Sequence, residues 1–164
     1  MTHLRPASVD DMLALRQHFS SLAEVQLWGG EGFTAPLTRS RFMQQLQLKD
    51  TESFVLSDHD VDVAYGQLCD RFAKHHLARL LVFPAMRNRG YGKSLVFRLL
   101  QQGLQQNARL DFSLFVYKSN TVAVKLYQGL GFVETAQPQP HRDDLMFMQL
   151  TADKAKRLLH SINC

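Results

Sequence analysis

The chain has 164 residues, 45% of them hydrophobic and 21% charged, with a formal net charge of +4 (19 Lys+Arg against 15 Asp+Glu). Those values describe one globular domain over residues 1–164 and exclude a disordered, collagenous or coiled-coil chain. The positive balance suits an anionic ligand, but no Lys/Arg run of five and no interleaving of basic with aromatic residues points to nucleic acid.

In chain order, a short strand at His3–Arg5 is followed by a helix opened by Ser8, with Asp11 in capping-box spacing. Met12, Leu15, Phe19 and Leu22 form its apolar stripe. A glycine-rich loop carries two aromatics, Trp28-Gly29-Gly30-Glu31-Gly32-Phe33. Pro36 and Thr38 then begin a second helix with Phe42 and Leu46 on one face. Ser53–Ser57 and Val61–Phe72 read as a hairpin around Asp58-His59-Asp60, and Lys74–Phe83 as a further strand ended by Pro84. A helix over Gly90–Gln106 turns Tyr91, Leu95, Leu99 and Leu100 inward, and a strand follows at Leu110–Tyr117. Asn120 caps a helix with Ala123, Leu126, Tyr127 and Leu130 on its buried face, stopped by Gly131. Phe132–Leu150 holds two strands around Gln137-Pro138-Gln139-Pro140, and Thr151 caps a last helix. Antiparallel strands first and β-α-β alternation later predict an α/β fold, one mixed sheet with helices on both faces.

No apolar run approaches the ~20 residues that span a bilayer, and the polar start lacks the apolar core of a signal peptide. The two cysteines are Cys69 and the last residue, Cys164, so no structural disulfide is expected and a cytoplasmic setting fits. Cys69, His75 and His76 have no metal-ligand spacing, and no metal is expected.

The segment Val82-Phe83-Pro84-Ala85-Met86-Arg87-Asn88-Arg89-Gly90-Tyr91-Gly92-Lys93-Ser94 ends a strand and begins a helix, with two glycines at the junction. Glycines there let the backbone turn tightly, and the free N–H groups of the helix start face an anion. Arg87, Arg89 and Lys93 add positive charge where the helix dipole disfavours it unless an anion is present. A Walker P-loop would need glycine at Arg87, and a dinucleotide fingerprint would need it at Leu95. What remains is Arg-x-x-Gly-x-Gly at a strand-to-helix turn.

Arg87-x-x-Gly90-x-Gly92 resembles the acetyl-CoA pyrophosphate loop of the Gcn5-related N-acetyltransferase (GNAT) family, and the preceding Leu81-Val82-x-Pro84 resembles its pantetheine strand. Asn120-x-x-Ala123-x-x-Leu126-Tyr127-x-x-x-Gly131-Phe132 is similar to the family's second cofactor block, and Leu4-Arg5-Pro6-Ala7 before Asp10-Asp11 is a typical opening. The resemblance covers essentially the whole chain. It implies a mostly antiparallel sheet of six to seven strands. It also implies direct transfer of acetyl from acetyl-CoA to a primary amine of a small molecule or a peptide, by a monomer or homodimer. Leu81, Val82, Phe83, Arg87, Asn88, Arg89, Gly90, Tyr91, Gly92, Lys93, Ser94, Asn120 and Tyr127 are then the expected cofactor contacts.

Such a reaction needs an unprotonated amine, whose free pKa is about 10.4, and profits from a proton donor to the departing thiolate. The resemblance makes Tyr127 that donor, and makes the backbone N–H of Val82 or a neighbour an oxyanion contact where two central strands splay. The glutamate that some members carry on the strand before Asn120 is replaced here by Phe115. His76 stands where other members place a glutamate or histidine base. It reads either as that base, direct or through water, or as a strand histidine satisfied by local hydrogen bonds. His75 points to the opposite face. Trp28, Glu31 and Phe33 fall where the family builds its acceptor slot. They form an aromatic wall with a counter-charge for a cationic amine, or the two aromatics pack helices onto the sheet. Two rivals stand beside the enzyme: a non-catalytic acetyl-CoA sensor, kept open by Phe115, and a nucleic-acid-binding module.

Overall fold

The computed structural model describes residues 1–162, so Cys164 lies outside the described residues. Seven strands form one mixed sheet in the order β1-β2-β3-β4-β5-β7-β6, numbered along the chain. The chain divides into two compact units, Met1–Leu68 with Ala78–Val96, and Cys69–Leu77 with the residues from Phe97 onward.

The first unit begins with β1 (Thr2–Pro6) and α1 (Val9–Ala14). The expected capping box is present: Ser8 Oγ accepts from the Asp11 N–H, and Asp11 accepts from the Ser8 N–H. Arg5 clasps the same Asp11 carboxylate at 2.6 Å, which holds its pKa down at about 2. The helix expected to run on to Leu22 ends early. A 3-10 turn covers Leu15–His18, Phe19 is extended, and α2 (Leu22–Gly29) starts afresh. The cause lies in Ser20, Ser21 and Glu24: Ser21 Oγ caps the Glu24 N–H, and the Glu24 carboxylate takes the N–H and hydroxyl of Ser20. Two serines so bonded out-compete helix continuation.

Next come α3 (Arg39–Leu46), capped by Thr38, and β2 (Thr51–Asp58). β2 and β1 pair antiparallel, with Leu4 opposite Leu56. Turn residues His59 and Asp60 both have positive φ and lead into β3 (Val61–Arg71). The core of this unit joins Met12, Leu15, Val25, Phe33, Phe42 and Leu46 from the helical layer to Val55, Tyr65 and Leu81 from the strands.

A two-residue turn, Phe72-Ala73, connects β3 to β4 (Lys74–Val82), again with positive φ at both positions. The sequence separates the two strands here, Val61–Phe72 from Lys74–Phe83, but carries no turn signature, because neither residue is one of the usual glycine or asparagine choices. In the second unit β4 runs parallel to β5 (Phe112–Tyr117), His75 opposite Phe112 and Leu77 opposite Leu114. β5 pairs antiparallel with β7 (Leu145–Leu150), which also carries the short β6 (Val133–Thr135). α4 (Tyr91–Gln106) follows β4, and α5 (Thr121–Leu130) follows β5. α5 has the expected Asn120 cap and closes on Gly131 in the left-handed region. α6 (Ala152–Ile162) has its Lys154 N–H capped by Thr151.

Candidate active site

After β4 the chain makes one 3-10 turn over Pro84–Met86 and then reverses twice, with φ of 63° at Asn88 and 83° at Gly90. Positive φ at both positions folds the backbone tightly into the start of α4, whose unpaired first amides attract an anion. A Cβ built on Gly90 meets nothing within 4 Å, so the glycine is demanded by its backbone angle and by an open approach rather than by crowding. Arg87, Asn88, Arg89 and Lys93 are all exposed around it, and Ser94 donates through both N–H and hydroxyl to the Gly90 carbonyl. Tyr91 anchors the helix start by donating to Asp58 at 2.8 Å. An exposed, cationic, amide-lined turn fits a diphosphate.

Leu81 is buried in the core of this unit. The Phe83 N–H donates to the Val63 carbonyl across the strand pair. Strand alternation therefore turns the Val82 N–H and carbonyl to the opposite edge, where that carbonyl accepts from Arg87 Nε at 3.3 Å. On the ring of Phe83 lies a residue that sequence reasoning passed over: the His18 imidazole stacks on it at 4.5 Å and 21° between planes. Partial burial and the Arg87 guanidinium hold His18 below its ordinary pKa.

Trp28 and Gly29 belong to the last turn of α2, and only Gly30 onward is loop. Gly29 is there for packing: a Cβ on it would meet the Phe33 ring at 2.3 Å. Phe33 is fully buried, against Phe42 and beneath the Arg79 guanidinium. Trp28 is half-buried among the rings of Phe19, Phe33 and Tyr65, and its indole Nε1 is buried with no hydrogen-bond partner. Glu31 is exposed. The structure thus holds the cationic turn, the end of β4, His18 and the Trp28–Phe33 segment in the first unit.

The second unit holds His76, Asn120 and Tyr127. His76 is 4% exposed; its Nδ1 lies 2.8 Å from Ser113 Oγ, and Phe72, Phe115 and Phe147 surround its ring. Burial, with a smaller push from Arg71, lowers its pKa to about 4. His75 faces the other way, with Nε2 2.9 Å from the Asn107 carbonyl and its ring on Phe112. Asn120 is exposed and caps α5 through the Ala123 N–H. Tyr127 is buried against Phe132, and burial raises its pKa to about 12.

A family model for the acetyltransferase (GNAT) domain matches residues 17–153. The chain belongs to the GNAT acetyltransferase family, and it is an N-acetyltransferase. An aminoglycoside N(6')-acetyltransferase type 1 from Salmonella enteritidis is 26% identical over 126 residues, 73% of this chain and 86% of the relative. Among solved structures, a spermidine N-acetyltransferase from Vibrio cholerae, in complex with CoA and spermine, superposes with a TM-score of 0.74. It has 16% identity and covers 94% of this chain and 98% of the other. The ribosomal-protein-S18-alanine N-acetyltransferase from Escherichia coli gives a TM-score of 0.66 at 20% identity, covering 93% and 94%. At these identities the structures establish the GNAT fold, a mostly antiparallel sheet of seven strands, for this chain. Among the described residues, no cluster of His, Cys, Asp and Glu is arranged to hold a metal, and no helix is long and apolar enough to cross a membrane.

Proposed function

We propose that this GNAT enzyme moves the acetyl group of acetyl-CoA directly to a primary amine of a small polar molecule, within a ternary complex, residues 1–164 acting as one catalytic domain. The observation that carries this reading is the reversed backbone at Asn88 and Gly90 ringed by Arg87, Arg89 and Lys93. It suits the diphosphate of the donor. The donor supplies an activated acyl thioester, and the rest is work for the side chains and amides of this chain. The outward Val82 N–H is the oxyanion donor. Trp28 and Glu31 receive the cationic acceptor, with Phe33 supporting them from the core. The Ser113 hydroxyl, bonded to the His76 ring, is fully buried with it, so transfer is taken as direct and no acyl-enzyme is invoked.

Tyr127 acts on the sulfur side. With a pKa of about 12 it stays protonated at any physiological pH. Full transfer to a thiolate of ordinary pKa, about 8.5, runs uphill, so its phenol donates a hydrogen bond to the developing charge more than it gives up a proton. The His76 environment supports the structural of its two readings. A ring sealed by three phenylalanines and bonded to Ser113 is a satisfied core histidine, and a pKa of about 4 is far from that of an efficient base.

The test is thiol release from acetyl-CoA across aminoglycosides, polyamines, aryl-alkylamines, amino acids and short peptides. Turnover is expected with one class of small amine, and Tyr127→Phe should lower kcat by about 10²-fold while leaving CoA affinity unchanged. Protein that binds CoA but releases no thiol with any acceptor would return the sensor reading to first place.

A further inference from the structure

We propose that His18 is the base that takes the proton from the acceptor's ammonium group. The inference rests on the acetyl-transfer reading above and adds the group that the sequence leaves unassigned once His76 is given to the core.

His18 ends the 3-10 turn between α1 and α2, three residues before the Ser21 cap of the helix that carries Trp28. Its ring lies flat on Phe83, the residue directly after Val82 at the end of β4. It therefore stands in the same unit as the acceptor segment, the strand end and the cationic turn.

His75 and His76 each commit a ring nitrogen to a protein partner, Asn107 and Ser113. Among the described residues, His18 has a ring contact and no hydrogen bond. Its nitrogens are not sealed away either, because among the described residues Trp28 Nε1 is the one buried side-chain nitrogen or oxygen without a partner. A half-buried imidazole with both nitrogens uncommitted and in reach of solvent can accept a proton directly or through one water.

The Phe83 ring desolvates the imidazole from one face and Arg87 repels its cation from the loop after β4, so His18 is neutral at pH 7. Arg16, the charged residue on its own turn, is engaged with the carbonyls of Leu13 and Leu37. The amine arrives as an ammonium ion of pKa about 10. His18 takes its first proton, the freed lone pair forms the C–N bond, the electron pair of the breaking C–S bond stays on sulfur, the second proton, shed by the acylated nitrogen, goes to that thiolate to give the free thiol, and the imidazolium returns the first proton to solvent.

The experiment has two independent readouts. Histidine side-chain resonances titrated in the free protein should give His18 a midpoint below the ordinary imidazole value. The lower break in the pH profile of acceptor kcat/KM should fall at the same pH. Phe83→Leu removes the stacked ring, and both midpoints should move to higher pH together. His18→Gln should lower kcat by about 10²-fold or more and abolish that break, while CoA affinity and melting temperature stay within error of wild type. Should His18→Gln misfold, His18→Asn and the Phe83→Leu shift carry the same test. A wild type that turns over acceptors while His18→Gln keeps its rate or its lower break would overturn the assignment and leave acetyl transfer standing. A resonance midpoint that disagrees with the kinetic break would do the same. A wild type with no turnover at all would remove both.

Discussion

His18, His75 and His76 are chemically one side chain, and their surroundings separate them. His76 is the case where burial becomes a stability statement. Its pKa is about 4 when folded and about 6.5 when unfolded. Above pH 6.5 both states are neutral and burial costs nothing through titration. As pH falls, the unfolded chain takes up the proton first, so stability declines between about pH 6.5 and pH 4 and the decline then levels off. The total for this one group is about 3 kcal/mol. His76→Gln loses packing and is less stable than wild type at pH 7, but it cannot take up that proton. The gap between the two proteins in urea unfolding should therefore close as pH drops toward 4. A gap that stays constant across that range would show that His76 is not held neutral by its surroundings. At this scale the sequence was partly legible. Spacing singled out Gly90, Arg87 and Asn120, because helix-entry and capping chemistry is local, whereas Tyr127 stood out from a core aromatic only through the family resemblance. It placed His76 on the strand but not inside a ring of Phe72, Phe115 and Phe147. It passed over His18, whose significance comes from a ring stacked on it by a distant strand.

Elements show the same division between local and tertiary causes. The Ser8 box, the Thr38 and Asn120 caps and the Gly131 stop were all readable, and the Ser21/Glu24 signature was present too, masked by an apolar stripe that looked continuous. The departure in β4 was not readable. Arg79 sits inside the strand with φ of 51°, a conformation that costs a non-glycine residue about 1–2 kcal/mol. Its guanidinium explains why the cost is borne. It donates to the Gly29 carbonyl at the end of α2, to the Leu46 carbonyl at the end of α3 and to Gln67 Oε1, and covers the Phe33 ring at 4.9 Å. A cation at two helix C-termini is favoured by both dipoles, and the fork fixes where α2, with Trp28 on its last turn, meets the strand. Arg79→Ala should lower stability by about 2–4 kcal/mol, since it frees carbonyls from charged donors and keeps the strained backbone. Arg79→Gly should retain about 1 kcal/mol more, because glycine tolerates the angle. Equal losses for alanine and glycine in urea unfolding would show that the positive φ stores no strain.

For the molecule as a whole, a formal charge of +4 is modest, and what matters is where part of it is placed. Arg87, Arg89 and Lys93 are exposed around a turn whose amides already favour an anion, so diphosphate binding should register in global stability. A ligand at about 100 times its Kd stabilises the folded state by about 2.7 kcal/mol. For a chain of this length each kcal/mol raises Tm by about 2–4 °C, so CoA should raise it by about 5–10 °C. Pantetheine, which lacks the diphosphate, should raise it far less at equal concentration. The CoA shift should also shrink with salt, since the Debye length falls from about 10 Å at 0.1 M to 3 Å at 1 M. The paired substitution Arg87→Gln with Arg89→Gln should remove most of the salt dependence and much of the shift. Equal shifts for CoA and pantetheine, insensitive to salt, would place the binding energy outside the cationic turn and remove the observation on which the functional assignment rests.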